Sequence, residues 1–127
     1  MPFSFVRLGA GDAGTGRYEV VHEDGEPDGH EGTALIAPVE VGADDEERFL
    51  AAWHAVRDVL AGQRGYLGAR LHRAIGEDAD FRFVALVRWS SPLMVQRAAR
   101  TPAFAALPAL PFPAYPALYL VAPASSG

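Results

Sequence analysis

The chain has 127 residues, no cysteine and a formal net charge of −5 at pH 7. This length suits one domain with a single hydrophobic core, and half of the residues are apolar. The lack of cysteine excludes disulfides, thiolate metal ligands and a cysteine nucleophile, and the negative charge argues against a nucleic-acid-binding protein. No apolar run is long enough to span a membrane, and the N-terminus does not look like a secretory signal, so we expect a cytoplasmic protein.

Residues 1–32 differ in composition from the rest of the chain, because they are rich in Gly, Asp and Glu. Two short strand-like pieces, residues 3–8 and 17–23, interrupt this segment. The composition predicts an N-terminal extension with a strand or two, followed by a domain over residues 33–127.

The first half of the domain predicts one strand and one helix. Residues 33–41 alternate as a strand does, and an acidic turn then leads into a helix that ends near Gln63. Asp44 or Asp45 can cap this helix at its start. Its apolar residues recur at spacings of four, three and four, which is one stripe of a 3.6-residue period: Phe49, Trp53, Val56 and Leu60.

The second half predicts a hairpin, two helices and a last strand. Residues 66–75 and 81–89 form the hairpin around the turn GEDAD, and Ser90 or Ser91 caps a helix over 92–100. A short helix over 101–107 begins in the same way, and residues 117–123 form the last strand. The order β-α-β-β-α-β predicts a ferredoxin-like α+β fold, with a four-stranded antiparallel sheet and both helices on one face.

Strand alternation predicts which side chains face the helices. Phe83, Val87 and Trp89 share the apolar face, whereas Tyr66 and His72 fall on the opposite face. That opposite face mixes apolar and charged residues: Ile36, Glu40, Arg70, Arg82, Val84, Leu86 and Arg88. Since both helices lie on the other side, we expect this face to be open to water in a monomer and to be covered in a homodimer.

Several stretches carry a resemblance to a known family. The runs GYLGARLHR and FVALVRWSSP are the most specific, and ALIAPVEV, TPAFAAL and YPALYLV extend the match over residues 33 to 123. They resemble the antibiotic biosynthesis monooxygenase family. The resemblance implies a dimeric α+β barrel with an active site between sheet and helices. It also implies oxidation of an aromatic polyketide by O2 without metal, haem or flavin.

Relatives of this fold that degrade haem carry an asparagine on the first domain strand and a haem-ligating histidine after the second helix. The corresponding positions here are Ala37 and about Pro108, which cannot serve those functions. The sequence therefore predicts that the protein does not degrade haem. The four histidines are scattered and give no metal-binding spacing, so we expect no metal and no cofactor.

The candidate site residues follow from the predicted faces together with the resemblance. We expect catalytic roles for Trp89, Tyr115 and His72, although each has a structural alternative in the core, a rigid connector or a hydrogen bond within the sheet. The candidates for substrate binding are Phe49, Trp53, Phe83, Val87, Phe104, Ala37 and Arg88. For Arg88 the alternative is an ion pair in the dimer interface.

The sequence is compatible with three functions. The first is a cofactor-independent monooxygenase that acts on a polycyclic phenol, with O2 as co-substrate. The second is a polyketide cyclase of the same fold, in which the shape of the pocket directs ring closure. The third is a binding subunit that has an apolar cavity and no activity.

Overall fold

The computed structural model describes residues 18–27, 32–76 and 79–120. Within these ranges the elements follow one another as β1 (Tyr18–Gly25), β2 (Thr33–Val39), α1 (Glu46–Ala61), β3 (Tyr66–Ala74), β4 (Phe83–Trp89), α2 (Pro92–Ala99), α3 (Pro102–Ala105) and β5 (Ala117–Leu120). A short 3-10 turn over Ala43–Asp45 precedes α1.

The strands form one antiparallel sheet in the order β1-β3-β4-β2-β5. Strands β2 to β5, together with α1 and α2, have the ferredoxin-like arrangement that the sequence predicts. The predicted number of strands is wrong, because the described residues form five strands and not four. The additional strand is β1, which comes from the N-terminal segment and pairs with the outer edge of β3.

The starts of the helices follow the expected capping chemistry in two of three cases. Ser91 accepts a hydrogen bond from the backbone N–H of Met94 at 3.4 Å, and Thr101 accepts one from Phe104 at 3.3 Å. Asp45 occupies the cap position of α1 but makes no side-chain capping bond. The preceding 3-10 turn brings the chain into this helix.

The hydrophobic core lies between the sheet and the helices. Phe49 and Phe83 are fully buried and stack with their ring centroids 4.5 Å apart. Trp89 is 1% exposed and belongs to the same core as α1 and α2 residues, so it faces the helices as predicted. The larger buried members of this core are Phe49, Trp53, Leu60, Leu71, Phe83, Val87, Trp89 and Phe112.

The opposite face of the sheet differs from the expectation. Val84 and Leu86 are only 5% and 7% exposed within the single chain, and Arg88 is 3% exposed. The prediction that this face lies open to water in a monomer is therefore wrong for its β3 and β4 residues, whereas Ile36 is partly exposed and Glu40 is exposed. As a consequence, a homodimer does not follow from the character of this face.

Tyr66 also lies on the other side of the sheet from the one predicted. The register of β3 against β4 shifts between Tyr66 and Gly68, so the strand contains an irregularity that strict alternation ignores. Leu67, at the shift, is 36% exposed, and Tyr66 packs against the core on the helix side. The shift brings Tyr66 to the same face as Trp89.

Among the residues that the structure describes, no helix combines the length and the apolar character needed to cross a membrane.

Candidate functional site

A row of three side chains crosses one end of the sheet on the face that packs against the helices. Trp89 of β4 pairs with Thr33 of β2 on one side and with Tyr66 of β3 on the other. The rings of Tyr66 and Trp89 meet edge to face, with centroids 5.8 Å apart. We call these three residues the cross-strand row.

Two polar atoms of the cross-strand row are buried without a hydrogen-bond partner in the described part of the chain. They are the indole Nε1 of Trp89 and the hydroxyl Oγ1 of Thr33, and each of these residues is 1% exposed. A buried polar group without a partner costs about 1–3 kcal/mol. A ligand oxygen or a bound water placed next to these atoms would remove that cost, which makes the row a candidate binding site.

The third member of the row leads into a cluster of charged residues. The hydroxyl of Tyr66 donates a short hydrogen bond to Oδ1 of Asp24. The other carboxylate oxygen, Oδ2, accepts a hydrogen bond from Nη1 of Arg57 at 3.0 Å and lies 2.5 Å from Nε2 of His22. We call His22, Asp24, Arg57 and Tyr66 the Asp24 cluster.

The end of β1 is fitted closely to β3, and this fit places Asp24. Gly25 has a φ of +64°, and a Cβ there would lie 2.3 Å from the carbonyl oxygen of Leu67. Gly68 pairs with Gly25, and a Cβ there would lie 2.5 Å from the nitrogen of Glu26. Because both positions lack a side chain, the backbone N–H of Glu26 reaches the Leu67 carbonyl at 2.8 Å.

The ionisation of the Asp24 cluster follows from these contacts. Burial works to raise the pKa of Asp24, but the hydrogen bonds from Tyr66, His22 and Arg57 outweigh it, so the pKa lies below its ordinary value of 3.8. Burial and the bond to Asp24 both raise the pKa of Tyr66. The cluster therefore holds an ionised carboxylate and a neutral phenol at neutral pH.

His22 connects this cluster to the aromatic core. Its ring meets Trp53 edge to face at 5.1 Å and His54 at 5.2 Å. Trp53 is 6% exposed and belongs to the buried stripe of α1, whereas His54 is exposed, as predicted. The side chains of His22 and Asp24 are 20% and 24% exposed, so the cluster lies at the rim between β1 and α1.

The residues predicted to form an apolar wall pack together in the core on the helix face. Phe49, Phe83 and Val87 are buried in one cluster with Trp53 and Trp89, and Phe104 packs against that cluster while partly exposed. Ala37 is partly buried and lies opposite Ala85 in β4. Phe112 belongs to the same core, since it is 7% exposed and packs edge to face on Phe49 at 5.6 Å.

Tyr115 lies at the other end of β2 from Trp89. Its backbone N–H bonds to the carbonyl of Pro38 at 3.0 Å, its hydroxyl donates to Glu40, and it is 53% exposed. Trp89 is opposite Thr33, so the two sites are separated by about five residues of strand, roughly 17 Å. The structure does not bring Tyr115 and Trp89 together.

His72 and Arg88 lie on the sheet face opposite to Trp89, as predicted. His72 pairs with Val84 and is fully buried. Arg88 donates from Nη1 to the backbone carbonyl of Glu26 at 3.0 Å, which ties the segment after β1 to the sheet. The geometry therefore separates both residues from the cross-strand row.

Sequence reasoning did not find most of the residues that the fold brings together here. Thr33 and Tyr66 are members of predicted strands, but only strand pairing and a register shift show that they flank Trp89. His22 and Asp24 lie in an acidic segment that gave no signal of a site. The described residues contain no group of three or more His, Cys, Asp and Glu that could hold a metal ion.

The described residues form a ferredoxin-like fold with a buried aromatic cluster between the sheet and the helices. The chain belongs to the antibiotic biosynthesis monooxygenase family, which matches residues 33–109 and thus more than half of the sequence. Strand β1, with His22 and Asp24, precedes the matched region. No curated protein matches the sequence.

Two solved structures show sequence similarity as well as the fold. A candidate monooxygenase from Shewanella loihica PV-4 is 33% identical, with 73% of this chain and 97% of that chain covered and a TM-score of 0.63. SnoaB from Streptomyces nogalater, a cofactor-independent oxygenase, is 26% identical, with 68% and 88% covered and a TM-score of 0.53. A heme-degrading enzyme from Listeria monocytogenes is 16% identical, with 76% and 60% covered and a TM-score of 0.57, and shares the fold alone.

Proposed function

We propose that the protein is a cofactor-independent monooxygenase that oxidises a polycyclic phenol of the aromatic polyketide type with O2. The observation that carries this proposal is the buried indole N–H of Trp89, which has no acceptor among the described residues and lies beside the equally unpartnered hydroxyl of Thr33. Membership of the family and the similarity to SnoaB, a cofactor-independent oxygenase, support the same reaction class.

In the proposed reaction the protein contributes mainly substrate binding and electrostatic stabilisation. A phenol that has lost its proton is electron-rich enough to react with O2 directly. For an anthrone, the methylene carbon gains one oxygen atom as a carbonyl, and the second oxygen atom leaves as water with the two displaced hydrogens. The protein has to orient the flat ring system, exclude bulk water and stabilise the anion.

The described residues offer each of these contributions. Phe49, Phe83 and Trp53 form a buried aromatic cluster, and the proposal places the fused ring system of the substrate next to it. The indole N–H of Trp89 and the hydroxyl of Thr33 are donors that can bind an anionic substrate oxygen. Since both donors are almost completely buried, their hydrogen bonds to an anion are stronger than in water.

A polyketide cyclase is the second candidate function. Ala37 and Ala85 lie opposite one another in the middle of β2 and β4, so this part of the helix face has no polar side chain. A site with few polar groups suits a reaction in which the shape of the pocket directs the folding of a poly-β-ketone. Cyclisation needs no O2, and this requirement separates the two candidates.

A homodimer also forms part of the proposal, on grounds other than the buried sheet face. Strand β5 lies at one end of the sheet, and Leu118, Tyr119 and Leu120 on it are 44%, 53% and 80% exposed. An edge strand with exposed apolar side chains favours association with another strand or surface. Light scattering on the wild type and on Leu120→Glu tests this: a dimer that the substitution weakens supports it, and a wild-type monomer contradicts it.

The experiment that tests the proposed function is incubation with a tricyclic anthrone under air and under nitrogen. A monooxygenase consumes O2 and gives the quinone only in air, faster than the spontaneous oxidation of the anthrone. Trp89→Phe, which keeps an aromatic ring and removes the N–H donor, should lose most of this activity. Catalysed ring closure of a linear poly-β-ketone under nitrogen supports the cyclase, and ligand binding without turnover in either gas supports a binding subunit.

A further inference from the structure

We propose that His22 is the general base of this site and that Asp24 holds its imidazole in place. The inference rests on the proposed function, since it assigns the group that removes the proton from the phenolic hydroxyl before O2 reacts. Both residues belong to β1, which precedes the region that matches the family. The base would thus come from a strand outside the region that the family model matches.

The contact with Asp24 fixes the tautomer of His22. The distance from Nε2 to Oδ2 is 2.5 Å, and an ionised carboxylate can only accept a hydrogen bond. The ring nitrogen Nε2 therefore carries the proton, and Nδ1 of the neutral imidazole is left as the proton acceptor. A carboxylate that orients a histidine in this way is the usual partner of a catalytic imidazole.

Asp24 is itself held on both oxygen atoms. Tyr66 donates to Oδ1, and Arg57 donates to Oδ2 at 3.0 Å. Arg57 also pairs with the exposed Asp58 at 2.7 Å. The Asp24 carboxylate is the charged group in direct contact with the ring, so the imidazolium that proton transfer creates lies against a negative charge.

His22 lies at the rim, where it contacts both the aromatic core and solvent, as a general base requires. Its ring stands edge to face on Trp53, with the ring planes at 69°, and Trp53 is part of the apolar wall. We expect a fused ring system bound next to Trp53 to bring a hydroxyl at its edge toward the β1–α1 rim. The imidazole is 20% exposed, so the proton that it takes up can pass to water after each turnover.

The proposed proton transfer breaks one bond and forms one bond. The O–H bond of the substrate breaks, and its electron pair stays on the phenolic oxygen. A new N–H bond forms at Nδ1 of His22, which becomes the imidazolium opposite the Asp24 carboxylate. The substrate anion is then the species that reacts with O2, and no further co-reactant is needed for this step.

His54 provides a matched control, because it also contacts the rings of Trp53 and His22 but makes no hydrogen bond to a carboxylate in the described structure. The probe is a tricyclic anthrone, whose anion has its own absorbance band. Under nitrogen, the wild type and His54→Ala should form the bound anion, whereas His22→Ala and His22→Gln should not. In air, both His22 variants should turn over on the order of 100-fold more slowly.

Chemical rescue separates a base from a structural residue. Added imidazole should restore a measurable part of the turnover of His22→Ala, with no effect on the wild type. If the folded His22 variants still form the anion, or if the wild type forms none, the inference is overturned. If the wild type forms the anion under nitrogen and yields no oxygen-dependent product in air, the base assignment stands and the proposed oxygenase function fails.

Discussion

Trp89 and Tyr66 stand edge to face, with ring centroids 5.8 Å apart and ring planes at 86°. Tyr66 also contacts β1, because its hydroxyl donates a hydrogen bond to Asp24. The pair therefore joins the buried indole of the family domain to the charged cluster that the N-terminal strand supplies.

Removal of the Tyr66 hydroxyl should weaken the fold without loss of the ring. Tyr66→Phe keeps the edge-to-face contact with Trp89 and deletes a hydrogen bond to an ionised carboxylate, a loss of about 1–2 kcal/mol. Urea denaturation measures the change in the free energy of unfolding. Tyr115→Phe is the control, since that hydroxyl binds Glu40 from a side chain that is 53% exposed. An equal loss in both variants would contradict the importance of the Asp24 contact.

The contribution of Asp24 to stability should depend on pH. Its pKa lies below the ordinary value of 3.8, so the folded state favours the ionised form more than the unfolded state does. The stabilisation is complete above about pH 4 and is lost as the pH falls through the lower value of the folded state. Asp24→Asn should therefore lower the free energy of unfolding at pH 7 by about 1–3 kcal/mol, with a smaller difference near pH 3.

Denaturation curves of the wild type and Asp24→Asn at several pH values measure this dependence. Asp44→Asn, at an exposed position in the turn before α1, serves as the control and should differ little from the wild type. A loss of stability in Asp24→Asn that stays constant from neutral to acidic pH would show that the carboxylate charge is not what stabilises the cluster.

A side chain at Gly25 should displace the end of β1. Alanine there would need a φ near +64° and would place its Cβ 2.3 Å from the Leu67 carbonyl oxygen. We expect Gly25→Ala to cost about 1–3 kcal/mol and to reduce turnover, because Asp24 precedes this residue directly. Gly76→Ala is the matched control, since no atom lies within 4 Å of the added Cβ. If Gly25→Ala is destabilised but keeps its activity, the position of β1 does not matter for the reaction.

The sequence predicted the part of the fold that depends on local patterns. The apolar stripe of α1, the Ser91 and Thr101 caps and the inward orientation of Trp89 all follow from spacing and residue type. The fifth strand, β1, coincides with the strand-like piece predicted over residues 17–23, but its place in the sheet could not be predicted, because its side chains are mostly exposed. What holds it is pairing with β3 and the close approach at Gly25.

The candidate site was harder to predict than the fold because it depends on contacts between distant segments. Tyr66 was assigned to the wrong face, since a register shift in β3 is not visible in an alternating pattern. Asp24 and Arg57 are 33 positions apart in the chain, and neither lies in a recognisable motif. Trp89 was found because its strand ends in the most specific stretch of the family resemblance.

Trp89 should bind substrate through its N–H as well as its ring. Trp89→Phe removes a donor that is buried without a partner in the described residues, and it also leaves a cavity. We expect a moderate loss of stability, about 1–3 kcal/mol, and a much larger fall in kcat/KM than in Trp53→Phe. Steady-state kinetics on folded variants checks this. If kcat/KM falls equally in both variants, the N–H of Trp89 does not contribute to substrate binding and the residue acts only through its apolar ring.

Isotope labelling of the product tests the central claim most directly. The protein is first treated with a chelator and shown to contain no flavin. It is then incubated with a tricyclic anthrone under ¹⁸O₂, and the mass of the product is measured by mass spectrometry. The oxygenase account predicts a quinone with one ¹⁸O atom and a rate well above that of the spontaneous reaction. A product that contains no ¹⁸O, or that forms equally well under nitrogen, would contradict it.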